Sequence, residues 1–319
     1  MITIAHADWS ANPDKRWITV ATGPDPINLH ITSPERAPSA GNLLTKLIST
    51  SYRREDTSSG RNHRLWIGFD FPLGIPLAYA KKLGVSSFRE LLGKAGKDSL
   101  SKFFDPAETA SDVSIFRPFY PRRPGGTSRS HLAEGLGIES YTDLLRHCDR
   151  ATRHRKAAGA IFWTMGSQQV GKAAISGWKD ILQPALNDPG LDTALWPFDG
   201  NLHDLLAERQ LVAAEVYPAE AAIQLGLGVP GRGWSKRSVT DRMSKASSLC
   251  DFLDRMDITI SQQLRDDILH GFGEDRHGED RFDSVLGLFS MIGILKGERP
   301  EGTVPDGLIR STEGWILGQ

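Results

Sequence analysis

The chain has 319 residues, of which 39% are hydrophobic and 24% charged, a balance typical of a folded globular protein rather than a disordered or fibrous one. The 38 Lys and Arg residues against 39 Asp and Glu leave a net charge of -1, which excludes a strong overall field for a polyanionic or polycationic partner. Cys148 and Cys250 are too far apart for a cysteine zinc site, and two cysteines do not make a disulfide framework. No apolar run approaches the ~20 residues of a membrane helix, so we predict a cytoplasmic protein with no membrane partner.

The N-terminal part of the sequence predicts a three-stranded meander, then a helix and a buried strand. Three β-like runs separated by turn residues form the predicted meander: residues 2–8, 17–21 and 27–32. Residues 43–48 follow with their leucines and isoleucine on one helical face. Residues 65–69 then run almost continuously apolar into Asp70, which is typical of a central strand covered on both faces.

The remaining sequence predicts a core interrupted by a long insertion. Residues 85–204 are mainly helical in pattern and are longer than a simple crossover needs. A second buried strand at 211–217 ends at Pro218, and apolar residues at 282–292 recur with helical spacing. We therefore predict an α/β fold with a mixed sheet flanked by helices. Its core is discontinuous, residues 1–84 and 205–319, and the insertion spans 85–204.

Carboxylates interrupt this apolar pattern at the ends of the predicted elements. They are Asp8 at the end of the first strand, Asp70 after the buried strand, Glu215 in the second buried strand, and Asp280 and Asp283 on the last helix. A carboxylate buried there needs a base, a helix to cap or a cation, because an unpaired buried charge is costly. Asp70 and Asp280 as helix caps, and Glu215 as an ion-paired core residue, remain open alternatives.

The joint occurrence of these carboxylates favours a metal site. Carboxyl ends of adjacent parallel strands meet at one edge of a sheet, which is where open α/β sheets bind ligands. Hard oxygen ligands suit Mg²⁺ or Mn²⁺ better than they suit a softer metal. We therefore expect these side chains to converge in one open acidic cluster.

The order of predicted elements resembles the layout of the ribonuclease H-like superfamily. That layout has three antiparallel strands and two parallel ones, with Asp on the first strand and on the last helix. More narrowly, four segments look like the domain-of-unknown-function-429 family of predicted nucleases: IAHADWS, WIGFDFPLGIP, AAEVYPAE and GEDRFDSVLGLF. The similarity covers roughly residues 1–84 and 205–297.

The resemblance implies a metal-dependent nuclease acting on DNA or RNA. By it, Asp8, Asp70, Glu215 and Asp283 are catalytic and, with Asp280, ligate a pair of Mg²⁺ or Mn²⁺ ions. Such ions bind the scissile phosphate, activate water and stabilise the leaving oxygen.

Basic residues near the predicted site are candidates for holding a phosphate backbone. Four arginines lie close together among aromatic residues in the insertion, and a basic pair follows the second buried strand: Arg117, Arg122, Arg123, Arg129, Lys236 and Arg237. Arginine and aromatic side chains together suit phosphates and unpaired bases. A Pro-rich surface loop and a solvated basic loop are the plainer interpretations of these two segments.

Three other interpretations compete with a nuclease. Residues 166–173, GSQQVGKA, nearly match a phosphate-binding loop, but Ala173 lacks the hydroxyl that holds Mg²⁺, so we interpret the match as accidental. An inactive nucleic-acid-binding or scaffold module would keep the fold without catalysis. An actin-like phosphotransferase is disfavoured because DWSANPD lacks the glycines of a phosphate hairpin. The sequence leaves the oligomeric state open.

Overall fold

The computed structural model describes residues 1–50, 63–165, 170–305 and 307–319. The strands there are β1 (Ile2–Asp8), β2 (Trp17–Gly23), β3 (His30–Ile31), β4 (Glu35–Arg36), β5 (Arg64–Phe69), β6 (Thr193–Leu195), β7 (Leu211–Glu215) and β8 (Thr259–Ile260). The helices are α1 (Ala40–Thr50), α2 (Leu77–Leu83), α3 (Phe88–Lys94), α4 (Arg129–Gly135), α5 (Val170–Gly177), α6 (Gln183–Asn187), α7 (Leu202–Glu208), α8 (Pro218–Gln224), α9 (Val239–Met243), α10 (Ala246–Arg255), α11 (Gln262–Leu269), α12 (Gly278–Leu295) and α13 (Gly307–Thr312). A π-helical segment, Trp178–Leu182, joins α5 to α6.

The strands form one mixed sheet, which confirms the predicted α/β class. The order is β6-β7-β5-β1-β2-β3-β8, with β4 also paired to β2. β1, β5, β7 and β6 run parallel, whereas β2 is antiparallel to β1 and to β3. The predicted meander and the two parallel strands are therefore its centre, and the short strands β4, β6 and β8 extend it beyond the sequence-based prediction.

The predicted insertion contributes to this sheet. In its described residues the regular structure is helical apart from β6, which pairs with β7 from Thr193↔Leu211 to Leu195↔Ala213. Three residues are too few to show a strand period in the sequence, which is why β6 was not expected.

The sheet is buried on both faces, and its side chains alternate between two hydrophobic cores. Ala7 of β1, Phe69 of β5 and Ala213 of β7 face a core shared with residues of the insertion. Ile4 and Trp66 face the opposite core, which α12 completes. Because successive strand residues point to opposite faces, this alternation determines which carboxylates can meet.

Helix α12 lies against β1 and β2 at unusually close range because of a glycine. A Cβ added to Gly287 would lie 2.2 Å from Nδ1 of the His6 ring. His6 is fully buried, its ring nitrogens lie 3.2 Å from the Ser284 carbonyl oxygen and 3.4 Å from that of Val216, and burial lowers its pKa to about 4. The neutral imidazole therefore fills the gap between sheet and helix. Asp283, one turn before Gly287, is thereby brought to the sheet edge.

We expect Gly287→Ala to destabilise the fold by about 1–3 kcal/mol, because the new methyl group overpacks the His6 site. Gly41→Ala is the matched control, since Gly41 lies in α1 with nothing within 4 Å of its added Cβ. Urea unfolding monitored by circular dichroism compares the two. Equal stability of both variants would contradict the close helix approach.

In the described part of the chain, none of the helices combines the length and the apolarity that crossing a bilayer requires.

Candidate functional site

Two of the predicted carboxylates meet at the carboxyl ends of β1 and β5. Asp8 is the last residue of β1, and the pairing of Ala7 with Phe69 places Asp70 beside it. The two carboxyl groups lie close enough for each to affect the pKa of the other. The Trp9 backbone N–H also donates to Asp70 Oδ1 at 2.6 Å, which fixes the orientation of that carboxyl group.

Asp283 approaches the same edge from α12. It is 8% exposed, and the Lys236 ammonium donates to its Oδ2. Its Oδ1 is buried and has no hydrogen-bond partner among the residues that the structure describes. A buried carboxylate oxygen without a donor is costly, so this atom is a candidate to accept from a ligand.

Burial and neighbouring charges disfavour the ionised forms of the three carboxylates. Burial, then the charges of Asp70 and Asp283, raise the pKa of Asp8 well above its usual range. Burial raises the pKa of Asp70 to about 7 and that of Asp283 to about 6, although Lys236 opposes the second shift. The cluster therefore either holds protons near neutral pH or binds additional positive charge.

Glu215 does not join this cluster, which corrects the expectation of a single site containing it. It is paired in register with Phe69, so its side chain points to the opposite face of the sheet from Asp8 and Asp70. There the Arg146 guanidinium donates to both carboxylate oxygens, at 2.6 and 2.7 Å, and the Leu73 N–H donates at 2.8 Å. The ion-paired alternative describes Glu215, and we do not assign it a ligand role.

Arg146 is the centre of a buried ionic network that the sequence did not predict. Its side chain is 0% exposed and also donates to Asp149 at 2.8 and 2.9 Å. Asp149 is only three residues further along the chain, but Glu215 lies 69 residues away. No short-range pattern joins two residues so distant in the chain.

Asp280 lies beside the cluster without entering it. His277, not Asp280, occupies the cap position of α12, and its Nδ1 lies 3.4 Å from Asp280 Oδ2. The Asp280 charge contributes to the raised pKa of Asp8. Among the residues that the structure describes, no group of three or more His, Cys, Asp or Glu side chains is arranged to hold a metal ion.

The predicted phosphate-binding residues are divided between two regions. Lys236 and Arg237 lie at the acidic edge, where Arg237 is 3.6 Å from Glu279. The four arginines of the insertion have other surroundings: Arg117 donates to the Asp105 and Pro106 carbonyls, Arg122 pairs with Glu108, Arg129 stacks on Tyr141, and Arg123 is exposed. None of these four lines the cleft described next.

An open cleft of about 880 Å³ borders Asp70 and contains cations that sequence reasoning missed. Lys15 and Lys172 line it together with the predicted Arg237.

Lys172 belongs to the segment dismissed as an accidental phosphate-loop match. The one feature of the sequence that could have pointed to Lys172 is its position in the first turn of helix α5. Residues 166–169 of that segment lie outside the described residues, and 160–164 form a turn and a single bridge instead of the strand that the motif requires.

Comparison with family models, with curated proteins and with solved structures yields no match for this chain.

Proposed function

We propose that this protein is a divalent-metal-dependent hydrolase of phosphodiester bonds with a ribonuclease H-like core. The observation that carries the proposal is the meeting of Asp8 and Asp70 at the carboxyl edge of two parallel strands, next to the unpartnered Oδ1 of Asp283. A buried cluster of this kind is costly without a cation, so its presence favours a role in binding one.

The arrangement of the sheet supports the family resemblance. A three-stranded meander is followed by two strands parallel to the first, and a long helix crosses the sheet with an aspartate at the edge. The two aspartates of the resemblance, Asp8 and Asp283, lie on those elements. The short strands β4, β6 and β8 are additions around this centre.

The residues at the edge fit one Mg²⁺ or Mn²⁺ ion held by Asp8 and Asp70. Magnesium is commonly bound through one or two carboxylates, with waters and substrate phosphate completing its coordination. A second ion, as predicted, would require further ligands, but Glu215 points away and Lys236 occupies one oxygen of Asp283. When bound, the metal supplies Lewis-acid polarisation of the phosphate and activation of water.

The chain's own groups prepare the site for that chemistry. The Trp9 N–H holds Asp70 in place, and the helix approach at Gly287 holds Asp283. Lys236 uses one of its three donors on Asp283, and its ammonium also lies close enough to Asp8 to affect that residue's pKa. A phosphate oxygen entering the cluster therefore meets a fixed positive charge in partly buried surroundings, where electrostatic stabilisation is strong.

One observation favours an inactive nucleic-acid-binding or scaffold module as the second candidate. Lys236 neutralises Asp283, and Arg146 neutralises Glu215, so two of the four predicted acids have internal partners. Asp8 and Asp70 form no ion pair within the described ranges, although Lys236 lowers the pKa of Asp8, and a module without catalysis has no need of such unpaired carboxylates. The two candidates therefore differ in whether metal binding at this pair supports hydrolysis.

We expect hydrolysis of a fluorescently labelled single-stranded oligonucleotide to require Mg²⁺ or Mn²⁺, because both carboxylates need a cation to be ionised together. Activity should disappear in EDTA and return when Mn²⁺ is restored. Full activity in EDTA would contradict the metal-dependent mechanism. Metal binding without any hydrolysis would favour the scaffold.

A further inference from the structure

We propose that the cleft beside Asp70 binds the phosphates of a flexible single strand, or of a strand end, through Lys15, Lys172 and Arg237, and that it excludes duplexes. This inference rests on the proposed function and specifies its substrate. It moves the substrate contact away from the arginines of the insertion.

The size of the cleft is the first argument. About 880 Å³ falls in the range of pockets that enclose a small ligand, roughly 300–1,000 Å³. A double helix is far wider than a small-ligand pocket, so a duplex could not enter the cleft and could only lie across its opening. A few nucleotides of a single strand can enter and bring a phosphodiester to Asp70.

The charges along the cleft are the second argument. No ion pair or side-chain hydrogen bond of Lys15 or Lys172 occurs among the described residues, and Arg237 is 77% exposed near Glu279. Three acids also line the cleft. Asp70 belongs to the proposed metal site, and Asp149 and Glu215 both accept hydrogen bonds from Arg146. Lys15 lies close enough to Asp280 to oppose the rise in that residue's pKa, but it forms no ion pair with it, so both lysines are available for phosphate contacts.

The third argument is the limited supply of positive charge elsewhere. The chain has a net charge of -1, and Arg122 in the insertion is already paired with Glu108. A protein that follows a duplex backbone needs many phosphate contacts along an extended basic surface. Three cations around a cleft suit two or three phosphates of a short strand.

The test is fluorescence anisotropy with a labelled hexanucleotide that carries phosphorothioate linkages, measured in Mg²⁺ over a range of salt. The triple variant Lys15→Ala, Lys172→Ala, Arg237→Ala should bind about tenfold more weakly or worse, and its salt slope should fall by about 2, since each single-strand phosphate contact contributes ~0.7. The control variant Arg122→Ala, Arg123→Ala, Arg129→Ala removes the same charge outside the cleft and should bind like the parent. Thermal melting verifies that both variants fold.

Equal weakening in the two triple variants, or a duplex that competes as well as the hexanucleotide, would overturn the inference. So would a parent that does not bind the hexanucleotide at all. Loss of binding confined to the cleft variant would support it, even if the EDTA assay shows no hydrolysis. Metal-dependent hydrolysis with unchanged binding in the cleft variant would overturn this inference alone and leave the proposed function standing.

Discussion

The Asp8→Asn variant is expected to lose metal-dependent hydrolysis by at least about 100-fold, because loss of groups that merely support metal ligands already costs about 10–100-fold. Asparagine preserves the shape of Asp8 and removes the charge that would hold the cation. The same change relieves the repulsion that raises the pKa of Asp8, whose causes are burial and then the Asp70 and Asp283 charges. The metal-free variant should therefore unfold at the same temperature as the parent or higher.

Initial hydrolysis rates in Mn²⁺, together with thermal melting in EDTA, measure both effects. Asp204→Asn is the matched control, since that carboxylate is 68% exposed and lies outside the site. Lower activity with unchanged or raised stability separates loss of a ligand from loss of the fold. Parental activity in Asp8→Asn would remove Asp8 from the proposed mechanism.

The Arg146→Met variant is expected to lose about 3–5 kcal/mol in free energy of unfolding, because it leaves a buried carboxylate without its partner. Arg146 is fully buried against Glu215, whose side chain is 5% exposed, and against Asp149. Arg122→Met is the control, since its pair with Glu108 is half exposed on both sides and such a surface pair is worth about 1 kcal/mol at most.

Urea denaturation of both variants at neutral pH compares these losses. Similar losses in the two variants would mean that the Arg146 network contributes no more than a surface pair. If the network stabilises the fold as expected, the role of Glu215 is structural. It then lies near the proposed site only because β7 pairs with β5.

The central elements could be predicted because their signals are local. Ile2–Asp8 and Arg64–Phe69 are apolar runs bounded by turn residues, and α12 has helical spacing of large apolar side chains. The carboxylates at their ends followed from the same pattern. The close approach of Asp8 and Asp70 then depends only on the two strands being parallel neighbours.

The error over Glu215 arose from side-chain direction. A strand pattern that is apolar on both faces does not show which face a residue joins, since the period-two signal is absent. The register with Phe69 decides it, and register depends on pairing across the sheet. Arg146 and Lys172 were missed for a related reason, because their roles come from tertiary contacts between segments distant in the chain.

The most direct test of the proposed metal site is a crystal soaked in Mn²⁺, with the anomalous signal of manganese locating the ion. The proposal predicts a peak with oxygen atoms of both Asp8 and Asp70 within about 2.0–2.3 Å, the distance expected for a small hard cation. A peak located elsewhere, or no peak at this pair while the Lys236 contact to Asp283 persists, would contradict it.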